Sequence, residues 1–277
     1  MSIHTELANM TDPDTFPEGA LEDIAYLSRS KSRVTILAAL AARPCTRREL
    51  EDATGIPRTT LDRTVNEFEE RGWVVRTPDG NYGATPIGDR VAAESKNFVG
   101  AIRAIRTLGD AVAWLPDGLA IGLRHFAEAT VRRPEPNAMN APTTFATKLM
   151  REATEFACLV NTLPSVGFED AMVNGVLDGR LTTTHVITDG ELAVLREDAD
   201  RVSRWQTYVE AGANLYCYTG RIPCNLLVID NTVLILDRQP EAVEGIESTN
   251  SVVRSWAQEL ISEHREDAER LDATAFA

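Results

Sequence analysis

Lysine is nearly missing from this chain. Only three of its 277 residues are lysines, Lys31, Lys96 and Lys148, and the remaining basic residues are arginines. With 42 acidic and 28 basic residues, the formal net charge is −14. Strong negative charge favours solubility, and concentrated salt screens its self-repulsion. This composition is typical of a protein from a very salty cytoplasm; the alternative is an ordinary acidic mesophilic protein.

Long apolar runs and export signals are missing as well. No apolar stretch approaches the roughly 18 residues that indicate a transmembrane helix. The first 20 residues lack the basic start and the apolar segment of a secretory signal. These absences predict a cytoplasmic protein that does not enter a membrane.

Motifs for metals and cofactors are also absent from the sequence. Its four cysteines lie far apart and form no CxxC pair, which argues against a disulfide scaffold and a zinc-ribbon site. The four histidines are scattered, and the chain contains no P-loop and no GxGxxG motif. We therefore expect neither a bound metal nor a cofactor.

The charge is distributed unevenly along the chain. Residues 1–27 carry six acidic residues and no lysine or arginine, whereas residues 28–90 carry eleven basic and nine acidic residues. Residues 91–277 carry 17 basic and 27 acidic residues. A short basic segment inside an acidic protein indicates a surface for a negatively charged partner.

The length and the pattern of helix-breaking residues predict two domains. We expect residues 1–20 to form a flexible acidic tail and residues 21–90 to form a helical domain that ends in a hairpin. Residues 91–115 are predicted to be a linker helix, which ends at the Leu-Pro-Asp-Gly sequence 115–118. Residues 116–277 form the predicted second domain.

Local signals mark the helices of the first domain. Thr46 and Glu49 have the spacing of a capping box, and Gly55 ends the helix that they begin. Pro57 is suited to open a third helix, with Leu61, Val65 and Phe68 on its core face. Two strands are then predicted around a turn, at residues 73–76 and 82–85.

The second half of the chain mixes helical and strand patterns, which favours an α/β domain. The predicted helices cover residues 144–158, 168–178, 189–211 and 249–270, and the predicted strands cover residues 181–188, 214–218, 226–229 and 233–236.

The order of three helices and two strands between residues 32 and 90 resembles winged helix-turn-helix regulators of the ArsR-like type. The resemblance implies an α+β winged-helix domain whose third helix enters the major groove of double-stranded DNA. On a helical wheel, Arg63 and Asn66 lie opposite the core face, and their side chains suit guanine and adenine edges. The predicted DNA-contacting residues are Arg47, Arg48, Arg58, Thr59, Thr60, Arg63, Asn66, Arg76 and Asn81. The alternatives are a solvated arginine-rich face or a winged helix that binds protein.

A second resemblance lies in the segment from Pro223 to Asp230, which is similar to the core of phospholipase D-like domains. In that motif, H-x-K-x(4)-D, the histidine and lysine positions are occupied here by Pro223 and Asn225. Asp230 matches, and Ser248 and Asn250 could match the later polar residues. Proline has no nucleophile, so covalent histidine chemistry is excluded at this position, and we expect no catalytic residues.

A winged helix followed by such a degraded domain resembles archaeal regulators of the methanogenesis-regulator middle-domain family and, more distantly, TrmB-type regulators. The resemblance implies an α/β phospholipase D-like sensor domain whose former active-site cleft binds a small effector. The candidate effector-binding residues are Thr183, His185, Arg221, Asn225, Asp230, Ser248 and Asn250. The alternative is that Asp230 makes a turn and that Ser248 and Asn250 cap the last helix.

Together these patterns predict a haloarchaeal transcriptional regulator that binds double-stranded DNA as a homodimer and is not an enzyme. The stripe Phe98, Ile102, Ile105 and Leu108 is predicted to form part of the dimer contact, unless it packs on its own second domain. Two other functions stay open: a phospholipase D-like phosphodiesterase or nuclease, and a DNA-binding protein whose second domain only dimerises.

Overall fold

The computed structural model of the chain describes residues 18–239 and 242–276, which divide into two compact units. We call Met1–Phe98 the N-terminal unit and Val99–Ala277 the C-terminal unit. The first 17 residues of the predicted acidic tail lie outside the described residues, and residues 18–20 are helical.

The N-terminal unit consists of helices and a two-stranded antiparallel sheet. Its elements are α1 (Glu18–Ser28), α2 (Lys31–Ala42), α3 (Arg47–Thr54), α4 (Arg58–Glu70), β1 (Val74–Arg76), β2 (Tyr82–Ala84) and the start of α5 (Pro86–Leu108).

The predicted local signals act in this unit as their chemistry requires. The Thr46 hydroxyl accepts a hydrogen bond from the Glu49 amide at 3.2 Å, and the Glu49 carboxylate accepts one from the Thr46 amide at 2.7 Å. Gly55 ends α3 in the left-handed region at φ 66°, where glycine has no steric penalty. Two unpaired amides at the start of α3 are thereby satisfied.

Close packing joins β1 to the start of α5. A Cβ atom placed on Gly88 would lie 1.9 Å from the carbonyl oxygen of Trp73. Only glycine allows the helix to approach the strand backbone this closely. The core beneath is formed by buried apolar residues from α2, α4 and β1, among them Ile36, Leu37, Leu40, Leu61, Val65, Phe68 and Trp73.

The C-terminal unit contains an eight-stranded mixed sheet in the order β10-β6-β5-β4-β7-β8-β9-β3. Strands β4, β5 and β6 pair in parallel, and the other pairings are antiparallel. The strands are β3 (Thr130–Arg132), β4 (Glu155–Val160), β5 (Thr182–Thr188), β6 (Asn214–Tyr218), β7 (Asn225–Ile229), β8 (Thr232–Gln239), β9 (Ala242–Ser248) and β10 (Glu269–Leu271). The helices are α6 (Ala141–Glu152), α7 (Val166–Leu177), α8 (Asp189–Arg196), α9 (Ala199–Glu210) and α10 (Ser251–Glu266), with 3₁₀ turns at Gly109–Trp114, Leu123–Phe126 and Ala273–Phe276.

Helices cover both faces of this sheet, so the unit has two hydrophobic layers. The first layer lies between the sheet and α6 to α9, and it includes Phe156, Phe168 and Trp205. The second lies between the opposite face and α10, the end of α5 and two 3₁₀ turns, and it includes Val186 and Trp256. Burial on both faces explains why β4, β5 and β7 lack a clear alternation of polar and apolar residues.

Two sequence predictions are wrong here. Residues 144–158 are not one helix, because α6 ends at Glu152 and Glu155–Val160 forms β4. Residues 189–211 are also not one helix, because Asp198 accepts hydrogen bonds from the amides of Asp200 and Arg201 and thereby starts α9. The edge strands β3 and β10, and β9 beside β3, were not predicted.

The predicted dimer stripe on α5 divides into two parts. Leu108 is 2% exposed and belongs to the second hydrophobic layer of the C-terminal unit. Phe98, Ile102 and Ile105 are 58%, 43% and 39% exposed. Of the four residues in the predicted stripe, these three are available to a partner.

Candidate functional site

Helix α4 has one buried and one exposed face. Leu61, Val65 and Phe68 are completely buried, whereas Arg63 and Asn66 lie on the opposite, exposed face. The Arg63 guanidinium lies 3.8 Å from Glu67, one turn along the helix, while 65% of its side chain stays exposed. Such an exposed pair contributes little stability, so Arg63 can leave it for a ligand at small cost.

The starts of α3 and α4 bring further arginines together. Asp62 pairs with Arg47 of α3 at 3.1 Å and with Arg58 of α4 at 3.9 Å. Arg48, Arg58 and Thr59 are exposed, and Thr60 is half-buried. The two helix starts thus present cationic and hydroxyl groups, and the first amides of α4 have no side-chain cap, an arrangement that suits phosphate groups.

The hairpin β1–β2 carries the last two predicted DNA-contacting residues, Arg76 and Asn81. The Thr77 amide donates to the Asn81 carbonyl at 2.7 Å and closes the turn, in which Gly80 has φ 81°. Arg76 is exposed and its guanidinium lies 6.0 Å from the centre of the Tyr82 ring. Arg47 lies 5.0 Å from the same ring, so Tyr82 links the hairpin to α3.

One cationic cluster escaped the sequence prediction. The Tyr26 ring lies between the guanidinium groups of Arg33 and Arg71, at 3.8 and 4.1 Å, and its hydroxyl donates to Glu67 at 2.5 Å. Burial and the Glu67 hydrogen bond raise the pKa of Tyr26 to about 12. No local pattern could have found this cluster, since Tyr26 and Glu67 are 41 positions apart.

In the C-terminal unit, the predicted effector residues do not form one cluster. Asn225 begins β7, and Asp230 follows its last residue. The two residues therefore lie at opposite ends of this strand, about 17 Å apart. The Asn225 side-chain oxygen accepts a hydrogen bond from the Asn161 amide at 2.9 Å. Arg221 is exposed in the loop before β7.

Asp230 closes the turn between β7 and β8. One carboxylate oxygen accepts hydrogen bonds from the Thr154 amide and hydroxyl, both at 3.0 Å, and from the Glu155 amide at 2.9 Å. Its φ of 49° lies in the left-handed region, which aspartate tolerates better than most residues. The side chain therefore holds the start of β4 against the end of β7.

Ser248 and Asn250 are engaged at the start of α10. The Ser248 hydroxyl accepts a hydrogen bond from the Asn250 amide at 3.2 Å. The Asn250 side chain accepts from the Val252 and Val253 amides at 2.9 and 3.3 Å, which makes it the helix cap.

Thr183 and His185 point from β5 into the first hydrophobic layer, where both are buried. The centre of the His185 ring lies 4.8 Å from that of Phe156 and 5.5 Å from those of Trp205 and Tyr208. Neither of its ring nitrogens has a hydrogen-bond partner among the described residues. Burial lowers the pKa of His185 to about 3, so the imidazole is neutral at physiological pH.

A cavity of about 70 Å³ lies beside His185. Its apolar wall comes from β4, β5, β7, α7 and α9 and includes Phe156, Phe168 and Trp205. Half-buried residues of the loop after β4, Thr162 to Ser165, line it as well.

A buried carboxylate fixes the Trp205 wall of this cavity. Glu169 of α7 is completely buried, and it pairs with Arg201 at 3.3 Å and with Arg204 at 2.7 Å. It also accepts a hydrogen bond from the Trp205 indole at 3.2 Å. These contacts hold α9 against α7 and orient the indole beside His185.

Residues 18–239 and 242–276 contain no group of three metal-ligating side chains that could hold an ion. Over the same ranges, no helix is long and apolar enough to cross a membrane.

Comparison with known proteins places the family likeness in the N-terminal part. Residues 21–107 match the model of a family described as the HVO_A0261 N-terminal domain. No curated protein is significantly similar to the chain.

Several solved structures resemble parts of the fold. TrmBL2, described as an archaeal chromatin protein with a novel mode of DNA binding, is 17% identical, with a TM-score of 0.42 over 85% of this chain and 92% of its own. The phospholipase D family member Nuc from Salmonella typhimurium is 11% identical, with a TM-score of 0.41 over 52% of this chain and 99% of its own.

Proposed function

We propose that this protein is a DNA-binding transcriptional regulator of the ArsR-like winged-helix type, from a salt-rich archaeal cytoplasm. Helix α4 enters the major groove of double-stranded DNA, α3 crosses the backbone, and the β1–β2 hairpin is the wing. The observation that carries the proposal is the two-faced α4, which is anchored by a completely buried apolar face and presents Arg63 and Asn66 outward.

The proposal assigns different roles to the exposed polar residues. Arg63 and Asn66 read base edges, because arginine suits guanine and asparagine suits adenine. Arg48, Arg58 and Thr59, near the two helix starts, contact phosphates. Tyr26, Arg33 and Arg71 stabilise the unit instead, since each is engaged within their cluster.

The regulator acts as a homodimer in this proposal, because such modules read two half-sites. Phe98, Ile102 and Ile105 on α5 are exposed apolar side chains that a second copy would cover. Sedimentation of the Ile102→Glu variant tests this contact, and a variant that stays dimeric would contradict it.

The C-terminal unit serves as an effector-binding domain and not as an enzyme. Pro223 and Asn225 stand where a phospholipase D-like site needs histidine and lysine, and the Asn225 side chain is bonded to the Asn161 amide. Cleavage of a phosphodiester substrate by the purified protein would contradict this assignment.

The decisive experiment measures binding to DNA from the upstream region of the protein's own gene, in multimolar KCl. The Arg63→Ala/Asn66→Ala variant should bind at least about 30-fold more weakly than wild type, since each base contact contributes about 1–3 kcal/mol.

The matched control is Arg151→Ala/Asn174→Ala, which removes the same two residue types from exposed helix positions in the C-terminal unit. Its affinity should equal that of wild type. Equal loss in both double variants, or no loss in the first, would contradict base reading by α4.

A further inference from the structure

The C-terminal unit contains a buried histidine that lacks a hydrogen-bond partner among the described residues. Burial of a polar group without a hydrogen bond is unfavourable, and native proteins rarely leave one unsatisfied. Both ring nitrogens of His185 lack a partner among the described residues, and the residue is only 2% exposed to solvent. By contrast, the buried Glu169 carboxylate has three partners, Arg201, Arg204 and Trp205.

The imidazole faces a space that can supply the missing partner. His185 lines the cavity together with Phe156, Cys158, Ile187 and Trp205. A neutral imidazole offers one donor and one acceptor, and the T-shaped contacts with three aromatic rings provide at most a π-face for its N–H. The acceptor nitrogen still needs a hydrogen-bond donor.

The cavity limits what can supply that donor. Its 70 Å³ is roughly half of an apolar cavity of about 150 Å³ that binds benzene. Only one end of a ligand can therefore occupy the space beside His185, and the remainder would lie against the half-buried side of the cavity, which includes Leu163 and Pro164 as well as Thr162. An anionic end is disfavoured, because the surrounding wall is mainly apolar and also contains the carboxyl group of Glu191.

We propose that this cavity is the effector site of the C-terminal unit, and that it binds a small neutral molecule whose apolar body carries a hydroxyl group bonded to His185. This inference deepens the proposed sensing function and rests on it. It differs from the sequence prediction, which grouped His185 with Arg221, Asn225, Asp230, Ser248 and Asn250, because the cavity residues come from the first hydrophobic layer instead.

The test uses the full-length protein and three probes, phenol, benzene and benzoate. The chain has four histidines, so nitrogen-15 spectra of histidine-labelled protein can follow each ring separately. Phenol should shift the ring-nitrogen signal of His185 saturably and leave the other three unchanged. Benzene should bind about tenfold more weakly, because it lacks the hydrogen bond, and benzoate should bind more weakly than phenol.

Two variants guard the interpretation. His185→Phe keeps a flat ring without the nitrogens, and its affinity for phenol should fall about tenfold while benzene binding stays within about threefold. If that variant does not fold, Thr162→Trp narrows the half-buried side of the cavity and should weaken phenol binding while the ligand-free His185 signal stays unchanged.

The outcomes separate this inference from the proposed function. DNA binding is measured on the same preparation, and it does not depend on the phenol titration. Absence of saturable phenol binding, or a His185 signal that phenol does not shift, would overturn the effector site while DNA binding stands. Phenol binding that both variants retain would overturn it as well.

Discussion

The two units place their free polar groups in opposite positions. In the N-terminal unit, Glu67 and two arginines engage the Tyr26 side chain, while Arg63, which is only weakly paired, and Asn66 lie exposed on α4. In the C-terminal unit, outer groups such as Asp230 are bonded, and the buried His185 has no hydrogen-bond partner among the described residues. Exposed cations suit a large polyanion, whereas a buried imidazole without a partner suits a small molecule.

The largest expected effect concerns Glu169, the buried group of the C-terminal unit that has hydrogen-bonded and charged partners. Glu169→Ala should lower the free energy of unfolding by about 3 kcal/mol, because it leaves Arg201 and Arg204 without their buried partner. Denaturant unfolding measures this loss. The control is Glu152→Ala at the exposed end of α6, and an equal loss in both variants would contradict the role of the buried network.

The burial of His185 without a partner should affect how the free energy of unfolding depends on pH. The pKa of His185 is about 3 in the folded state, against 6.5 for the free group. Between these values the unfolded chain binds the extra proton, so stability falls as the pH drops through this range. At pH 5 the loss attributable to His185 is about 2 kcal/mol relative to pH 7.5.

Comparison with His185→Phe isolates this contribution from that of the many carboxylates. The variant should lose about 2 kcal/mol less than wild type between pH 7.5 and pH 5. Parallel stability curves for the two proteins would show that His185 titrates normally, and the contrast between the two units would then disappear.

Within the N-terminal unit, a smaller change in the free energy of unfolding should distinguish the hydrogen-bonded Thr46 from the exposed Thr59. Thr46→Ala removes the capping box of α3 and should lower the free energy of unfolding by about 1 kcal/mol. Thr59→Ala removes an exposed hydroxyl and should change it by less than about 0.5 kcal/mol, yet it should weaken DNA binding. Thermal unfolding and DNA titration of both variants measure these opposite outcomes.

The dependence of DNA affinity on salt tests how much of the binding comes from the exposed arginines. Because few arginines of the N-terminal unit are both exposed and free, DNA affinity should decline between moderate and multimolar KCl with the slope of about three or four phosphate contacts. Titrations at several KCl concentrations measure this slope. A slope equivalent to roughly six to ten contacts would indicate that phosphate attraction dominates over base reading.

Sequence patterns predicted the N-terminal unit well because its signals are local. The capping box at Thr46 and Glu49, the stop at Gly55 and the turn at Gly80 each depend on residues within a few positions. By contrast, β4 was predicted as the end of a helix, because a short apolar run buried on both faces does not distinguish a strand from a helix.

The residues around the proposed effector site were predicted only in part, for a related reason. Asn225 and Asp230 are close in a linear motif, but an extended strand carries them to opposite ends of β7. His185 was a candidate from the sequence, whereas its neighbours Phe156, Trp205 and Tyr208, which come from other elements of the fold, were not. Contacts between residues so distant in sequence depend on strand pairing and helix packing.

The close approach at Gly88 has a consequence for genetics. Every other amino acid would place its Cβ against the Trp73 carbonyl, so a mutational scan should show no tolerated substitution at this position. Under the proposed function, such mutants would resemble mutants with a damaged DNA contact. Protein abundance in the cell distinguishes the two, because a Gly88 mutant should be degraded while an Arg63 mutant accumulates normally.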